Sequence, residues 1–306
     1  MTSQRTVLEV DLAPVAGRRF QPTGFPDLGA AEFDAADGSK SLLVESAQSM
    51  ANRLEATTWD ESRSDQVGEL VGLPYVRITD TTGEFLSSSR LEAHRLASAY
   101  MMDGKVDGSQ DGEKWLEQQL GLAVGRPLDY RAVARACFRL DPVSLLHGVF
   151  FARKNWPWQP KIARAVTSFV EAYQAIPAVS GGVKRDVVIN EAKEGLTARG
   201  YGTVPHHRVE YTAATITAYF TIDHAQLRSY GLSEPATSLL EALADFEIAT
   251  LLDGGLRLRT ACDLRVLDVR GQRPDAAEAA ARVATLAADC SGELGPVTEV
   301  TWSRSK

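Results

Sequence analysis

The sequence predicts a mixed α+β fold, in which strands and helices alternate with long insertions between them. Two observations carry this prediction. Residues 164–175 and 208–222 are rich in Val, Thr, Tyr and Phe, which favour strands. Residues 43–55 and 234–252 carry apolar side chains at the spacing of one helical face.

The N-terminal half begins with an alternating segment, 7–12, that predicts a short strand. A Pro- and Gly-rich turn region follows at 13–29, and then the helix at 43–55. Further along, the pattern predicts a strand at 74–79 and helices at 89–101, 113–124 and 130–139.

The C-terminal half opens with Trp156-Pro157-Trp158-Gln159-Pro160, which breaks any helix. The two strand segments follow, with a flexible basic loop at 180–185 between them. The pattern then predicts a helix at 234–252, a strand at 256–269, an Ala-rich helix at 276–288 and a last strand at 297–302. An early strand–helix unit and a late helix–strand unit fit around one antiparallel sheet, as in a ferredoxin-like core.

Composition is that of an ordinary globular chain. The 306 residues include 44% hydrophobic and 24% charged residues, and the formal net charge is −7. Bulk charge therefore argues mildly against nucleic-acid binding, which needs clustered Lys and Arg. The three scattered cysteines indicate reduced thiols, and no signal peptide or membrane span is recognisable, so we expect a cytoplasmic protein.

Sequence signatures of catalysis are missing. The chain contains no phosphate-binding loop, no H-E-x-x-H, no C-x-x-C and no G-x-S-x-G. His206 and His207 are adjacent, and neighbours on a strand face opposite ways, so we do not expect them to bind one metal ion. The sequence predicts neither a catalytic centre nor a metal or cofactor site.

Residues 18–29 combine two arginines with an aromatic residue and several glycines. Arg18 and Arg19 suit phosphate, Phe20 suits base stacking, and Gln21 and Thr23 suit sugar or phosphate oxygens. On chemistry alone, an ordered loop with Phe20 and Phe25 packed in the core is the favoured alternative.

Two further segments offer polar groups beside helices. The helix at 43–55 presents Gln48, Ser49, Asn52 and Arg53 on its outer face, and a plain solvated face is the alternative. Residues 87–96 place serines before a predicted helix, where they cap it or attract phosphate. This last segment contains Arg90, His94 and Arg95.

Taken together, the motifs resemble a known family. R-F-Q-P-T-G-F-P-D-L-G-A at 19–30, L-V-E-S-A-Q-S-M-A-N-R-L-E at 43–55, G-L-P-Y-V at 72–76 and E-A-H-R-L at 92–96 resemble the type I-G (formerly I-U) CRISPR-associated Cas-seven family of the RAMP superfamily. The resemblance covers about the first third of the chain by motif.

The resemblance implies a single RAMP-type domain over 1–306. Its RRM- or ferredoxin-like palm would comprise about 1–60 and 208–306, with finger and thumb insertions at about 61–207. It implies a non-enzymatic backbone subunit of the Cascade complex, an antiviral ribonucleoprotein. Copies would form a helical filament along the guide RNA (crRNA), contact other Cascade subunits, and leave the guide free to pair with target DNA.

From the motifs and the basic patches we expect an RNA-binding set and no catalytic residue. The set is Arg18, Arg19, Phe20, Gln21, Thr23, Gln48, Ser49, Asn52, Arg53, Arg90, His94, Arg95, Lys184 and Arg185. Two alternatives stay open. One is an endoribonuclease that processes precursor guide RNA with His94 or His207 as the general base. The other is an assembly protein without RNA contact.

Overall fold

The structure is a computed structural model that describes residues 4–25, 28–184 and 204–303. Its strands are β1 (Arg5–Pro14), β2 (Gly24–Phe25), β3 (Gly29–Ala30), β4 (Glu32–Asp34), β5 (Lys40–Glu45), β6 (Trp59–Asp60), β7 (Asp65–Gln66), β8 (Val76–Thr79), β9 (Phe85–Ser88), β10 (Lys105–Val106), β11 (Gln110–Asp111), β12 (Val149–Phe150), β13 (Lys161–Ile162), β14 (Val166–Tyr173), β15 (Ile176–Lys184), β16 (Val204–Thr212), β17 (Thr215–Asp223), β18 (Leu256–Arg259), β19 (Cys262–Arg270) and β20 (Thr298–Thr301).

Helices cover fewer segments. They are α1 (Ala47–Ala56), α2 (Ala99–Asp103), α3 (Gly112–Gln119), α4 (Tyr130–Leu140), α5 (Val143–His147), α6 (His224–Ser229), α7 (Glu234–Gly254) and α8 (Ala276–Asp289). None of the helices in the described ranges is long and apolar enough to cross a membrane. The mixed α+β class predicted from the sequence is confirmed.

A main sheet of seven antiparallel strands has the order β18-β19-β1-β17-β14-β5-β4. Its central register pairs Val10 with Ala218 and Ala218 with Val170, and all three side chains are fully buried. Alternate residues on these strands face solvent, as expected of a sheet with one covered face. Helix α7 packs against α1, α5 and α8 and supplies Leu239 and Leu243 to the core.

The predicted helix at 43–55 is wrong at its N-terminal end and correct from residue 47 onward. Leu43–Glu45 end strand β5, and helix α1 begins only at Ala47. The Ser46 hydroxyl caps the helix by accepting a hydrogen bond from the Ser49 amide at 3.2 Å. The apolar residues before Ser46 pack within the sheet. Their spacing happens to continue that of the helix, so the sequence pattern did not reveal the turn from strand to helix.

The predicted helix at 89–101 is also wrong. A short 3₁₀ turn covers Arg95–Ala97, and α2 starts after Ser98, whose hydroxyl accepts from the Tyr100 amide at 3.1 Å. Arg95 adopts a left-handed φ of 53°, which a helix does not allow. Arg90 and Arg95 make buried polar contacts that hold this segment in a non-helical conformation.

The C-terminal strands depart from the prediction in their pairing. Residues 256–269 form a hairpin, β18 and β19, and not one strand. Strand β20 pairs in parallel with β8 inside a second, five-stranded sheet of order β11-β10-β20-β8-β9, so it does not close the main sheet.

Strand β14 lies inside the main sheet, between β17 and β5. It nevertheless falls within the 61–207 stretch that was predicted to form insertions. Strands β15 and β16, which follow β14 in the chain, pair with each other as a separate two-stranded hairpin. Exposed Ile176 and Val179 stand on this hairpin, with 64% and 69% of their surface accessible. The division of the chain into palm and insertions remains a prediction.

Candidate nucleic-acid interface

A cleft of about 570 Å³ opens where the 93–95 turn, helix α1 and the β12–β13 hairpin meet. We call it the basic cleft and define it by its lining residues Gln48, His94, Arg95, Phe150, Lys161 and Arg164. No Asp or Glu stands among the described residues that line it. In a chain of net charge −7, such a cleft is a local site for an anion.

The hairpin that forms one wall depends on Gly148. This glycine ends α5 with φ 78° and ψ 155°, a conformation that only glycine adopts readily. A Cβ atom there would lie 2.8 Å from the Ile162 carbonyl oxygen and 3.1 Å from the Arg164 amide nitrogen. The close approach lets Val149 pair with Ile162 in the hairpin and brings Lys161 and Arg164 to the cleft.

Arg164 spans the cleft wall. Its Nε donates to the His147 carbonyl at 3.2 Å, and its Nη2 donates to the Oε1 atom of Gln48 on α1. Burial, and next the nearby charge of Arg95, lower the pKa of Arg164. Both effects disfavour the cation, and the charge of an anion bound here would oppose them.

Beneath the cleft lies a buried ionic layer. Arg95 donates to the Glu55 carboxylate through Nε and Nη2, each at 2.6 Å, and through Nη1 to the Gly148 carbonyl at 3.1 Å. His147 contacts Glu247 at 2.8 Å with both side chains fully buried. Burial raises the pKa of Glu55, against the opposing charges of His147 and Arg95.

Arg95 is therefore a correction to the predicted phosphate contacts. Its side chain is only 5% exposed, and its guanidinium is committed to Glu55 and Gly148. Arg90 is a second correction: its side chain is fully buried and donates to Asp141 at 2.8 Å and to the Pro74 carbonyl at 3.2 Å. Both arginines hold the 87–98 segment in place.

His94, by contrast, is exposed and lines the cleft. Gln48 and Asn52 are exposed on α1, with the Gln48 amide donating to Asn52 Oδ1 at 3.4 Å. Ser49 is half-buried on the same helix. The cleft thus brings together Gln48 and His94 from different predicted segments, with Asn52 one helical turn away.

Arg53 turns away from the cleft. Its guanidinium donates to the carbonyls of Arg257, at 3.3 Å, and of Leu258, and it lies 4.0 Å from Glu45. Arg259 also pairs with Glu45, which is buried. A phosphate contact by Arg53 would have to compete with these partners.

The 18–23 loop lies at the base of the β15–β16 hairpin. Arg18 is exposed, and Arg19 is 3.2 Å from Glu210. Gln21 accepts a hydrogen bond from Arg208 at 3.2 Å, and half-buried Thr23 donates its amide to the Val44 carbonyl at 2.8 Å.

Phe20 is a correction to the predicted base stacking. Only 1% of its surface is exposed, and its backbone exchanges two hydrogen bonds with Tyr211, at 2.9 and 2.8 Å. The favoured alternative, packing in the core, is confirmed for Phe20, and the side chain of Phe25 is not among those described. Lys184 is the last residue of strand β15, and its side chain is not among those described. Arg185 lies outside the described residues.

The sequence model of the CRISPR-associated protein GSU0053 family matches residues 6–177. The chain belongs to this CRISPR-associated family. The match covers more than half of the sequence and includes every motif on which the predicted resemblance rests. The CRISPR association predicted from those motifs is confirmed.

Comparison of this GSU0053-family chain with solved structures finds distant similarities. One is a chain of a CRISPR RNA-guided surveillance complex in a pre-nicking state, with 14% identity, a TM-score of 0.43, and coverage of 88% of this chain and 77% of the other. Another is Csc2 of Thermofilum pendens, with 12% identity, a TM-score of 0.31, and coverage of 95% and 76%. No curated protein matches the sequence.

Lys161, Arg164 and Phe150 are the cleft residues that sequence reasoning missed. Lys161 Nζ lies 5.9 Å from the ring centroid of Phe150, whose surface is 49% exposed. A signal was present, because Lys161 and Arg164 directly follow the Trp- and Pro-rich break at 156–160. Within the described ranges, no three His, Cys, Asp or Glu residues lie close enough to hold a metal ion.

Proposed function

We propose that this chain is a guide-RNA-binding backbone subunit of a type I CRISPR surveillance complex, and that the basic cleft holds the RNA backbone. The observation that carries the proposal is a cleft without carboxylates, lined by Lys161, Arg164 and His94, in an otherwise acidic chain. Membership of a CRISPR-associated family supports it.

Polar groups in the cleft, and Asn52 one helical turn away, have distinct roles in this proposal. Lys161 and Arg164 neutralise phosphates, and Gln48 and Asn52 bond to ribose or phosphate oxygens. The Phe150 ring, exposed beside Lys161, offers a face for one base. These contacts carry no base-edge readout, so the binding is independent of sequence.

A second contact zone in the proposal lies at the 18–23 loop, with Arg18, Arg19 and Gln21. The β15–β16 hairpin rises beside it and carries Lys184, with Arg185 next in the chain, so we assign it as the thumb. The main sheet, with α1 and α7 on its covered face, is assigned as the RRM-like palm, since α1 follows β5 and α7 precedes β18.

In the assembled complex, several copies lie along one guide RNA and contact the other Cascade subunits. The guide bases remain available to pair with target DNA, in the cytoplasm. The subunit itself is non-enzymatic, and it needs no metal or cofactor.

A filter-binding titration with single-stranded guide RNA tests the proposal. Lys161→Ala/Arg164→Ala removes two cleft cations, whereas Arg228→Ala/Arg265→Ala removes two exposed cations elsewhere. Losing two phosphate contacts on a single strand lowers the slope of log affinity against log salt by about 1.4. A cleft variant whose affinity and slope equal those of the control variant contradicts the proposal.

One observation favours a second function. His94 is exposed in the cleft beside two cations, the arrangement that a metal-independent endoribonuclease needs for a general base and for phosphate stabilisation. Incubation with precursor guide RNA in a chelator distinguishes the two. Specific cuts that disappear in His94→Ala support the endoribonuclease, and intact RNA supports the backbone subunit.

A further inference from the structure

Helix α4 carries a row of arginines on its solvent side. Arg131, Arg135 and Arg139 are spaced four residues apart, so they lie on one face, and all three are exposed. The opposite face, including Val133, Cys137 and Phe138, is buried. We call the three residues the arginine row.

The arginine row lacks carboxylate partners within the described part of the chain: none of its guanidinium groups makes a hydrogen bond or ion pair there. Among the described residues, some exposed arginines elsewhere are paired, as Arg273 is with Asp253 and Arg282 with Asp245, whereas Arg228 and Arg265 make no ion pair. Helix α4 itself contains no acidic residue from Tyr130 to Leu140. The row differs from such single residues because its three cations lie on one face of one helix.

Local structure fixes the row on a rigid support. The Asp129 carboxylate at the helix start accepts from the Arg131 and Ala132 amides, at 2.9 and 3.1 Å, so it caps the helix. The Arg131 stem lies against Gly231, where a Cβ would come within 3.1 Å of it. The far end of the helix is held by the Gly295 amide, which donates to the Arg139 carbonyl at 3.0 Å.

We infer that the arginine row binds the sugar-phosphate backbone of double-stranded DNA. At a rise of about 1.5 Å per residue, the row extends about 12 Å. One strand of a duplex presents a phosphate about every 3.4 Å along the axis, so the row faces about four phosphates. This inference goes beyond the proposed function, in which target DNA contacts the complex only by pairing with the guide RNA.

Duplex DNA fits the row better than a single strand does. Single-stranded nucleic acid is held by aromatic platforms between the cations. Between the arginines the exposed side of α4 carries Ala132 and Ala136, and the exposed ring of Tyr130 stands before the row and not between its cations. A row of regularly spaced guanidinium groups on one helix face suits the regular phosphates of a duplex, and it contacts them without reading sequence.

The test is a fluorescence-anisotropy titration of the purified full chain with a short labelled DNA duplex over a range of salt. Arg131→Ala/Arg135→Ala/Arg139→Ala keeps the helix, since Ala is a strong helix former. Arg63→Ala/Arg228→Ala/Arg265→Ala is the matched control, because it removes the same charge from dispersed exposed positions.

We expect the row variant to lower the slope of log affinity against log salt by about 2.7, the loss of three duplex phosphates, and the control to keep the wild-type slope. Equal slopes in the two variants overturn the inference, as does a wild-type chain that does not bind the duplex. A row variant that loses guide-RNA affinity but keeps duplex affinity also overturns it. The cleft variant Lys161→Ala/Arg164→Ala, titrated with RNA, tests the proposed function separately.

Discussion

The Arg95 guanidinium donates two hydrogen bonds of 2.6 Å to the Glu55 carboxylate, and both side chains are closed to solvent. The pair joins the 93–95 turn to the C-terminal end of α1. It also holds Arg95 at a φ of 53°, which few residues other than glycine adopt. The basic cleft depends on this link, because the turn and α1 supply two of its walls.

Breaking the pair from one side destabilises the protein. Arg95→Met leaves the Glu55 carboxylate buried without its partner, and we expect the free energy of unfolding to fall by about 3–5 kcal/mol. Urea denaturation measures the change. In Glu55→Leu/Arg95→Met neither charge remains, so the loss is smaller. A single variant as stable as the wild type contradicts a structural role for the pair.

Gly148→Ala tests the close approach that shapes the cleft wall. Gly255 is a matched control, since it has nearly the same backbone conformation, φ 81° and ψ 162°, but open space at the Cβ position. Both substitutions cost about 1–3 kcal/mol of backbone strain.

Only Gly148→Ala also forces the Ile162 carbonyl and the Arg164 amide to move, at a further cost of about 1–3 kcal/mol. We therefore expect weaker RNA binding in Gly148→Ala alone, measured on the folded protein. Equal stability and equal RNA affinity in the two variants count against the described wall.

Phe150 and Phe20 have opposite expected roles. Phe150→Ala removes an exposed ring beside Lys161, so RNA affinity falls by about 1–3 kcal/mol with little change in stability. Phe20→Leu alters a core side chain, so stability falls and RNA affinity does not. Parallel urea and RNA titrations separate the effects, and a reversed pattern restores Phe20 as the stacking residue.

Cys137 is expected to be inert in the folded protein. Burial raises the pKa of its thiol to about 12. An unfolded cysteine ionises near pH 8.5, so stability is fully present below that pH and is lost as pH rises toward 12. We expect the free energy of unfolding at pH 10 to be below that at pH 8, and Cys137→Ala to reduce the difference. A pH dependence that is the same in the variant contradicts the assignment.

The sequence allowed much of the fold to be predicted. Helices α4, α7 and α8 and strands β1 and β14 were found within a few residues, because each has a clear apolar period. The single strand predicted at 208–222 is two strands, the end of β16 and most of β17. The two misplaced helices, at 43–55 and 89–101, share a cause. At Ser46 and Ser98, a hydroxyl caps a helix inside a run of apolar residues whose spacing continues across the cap.

The candidate site was harder to predict, since residue type does not specify burial. Arg90, Arg95 and Phe20 have suitable chemistry for RNA, but each is committed to the interior by a partner far away in sequence, such as Asp141 for Arg90. Lys161 and Arg164 belong to no recognised motif. Only the long-range pairing of β14 with β5, next to α1, brings Arg164 to Gln48.

The central claim is that this chain holds guide RNA. The most direct measurement is nuclease digestion of the purified complex, followed by sizing of the protected RNA from the wild type and from Lys161→Ala/Arg164→Ala. We expect the wild type to protect RNA of discrete length and the variant to lose that protection. A purified wild-type complex that carries no RNA, or a variant that protects the same fragment, would contradict the account.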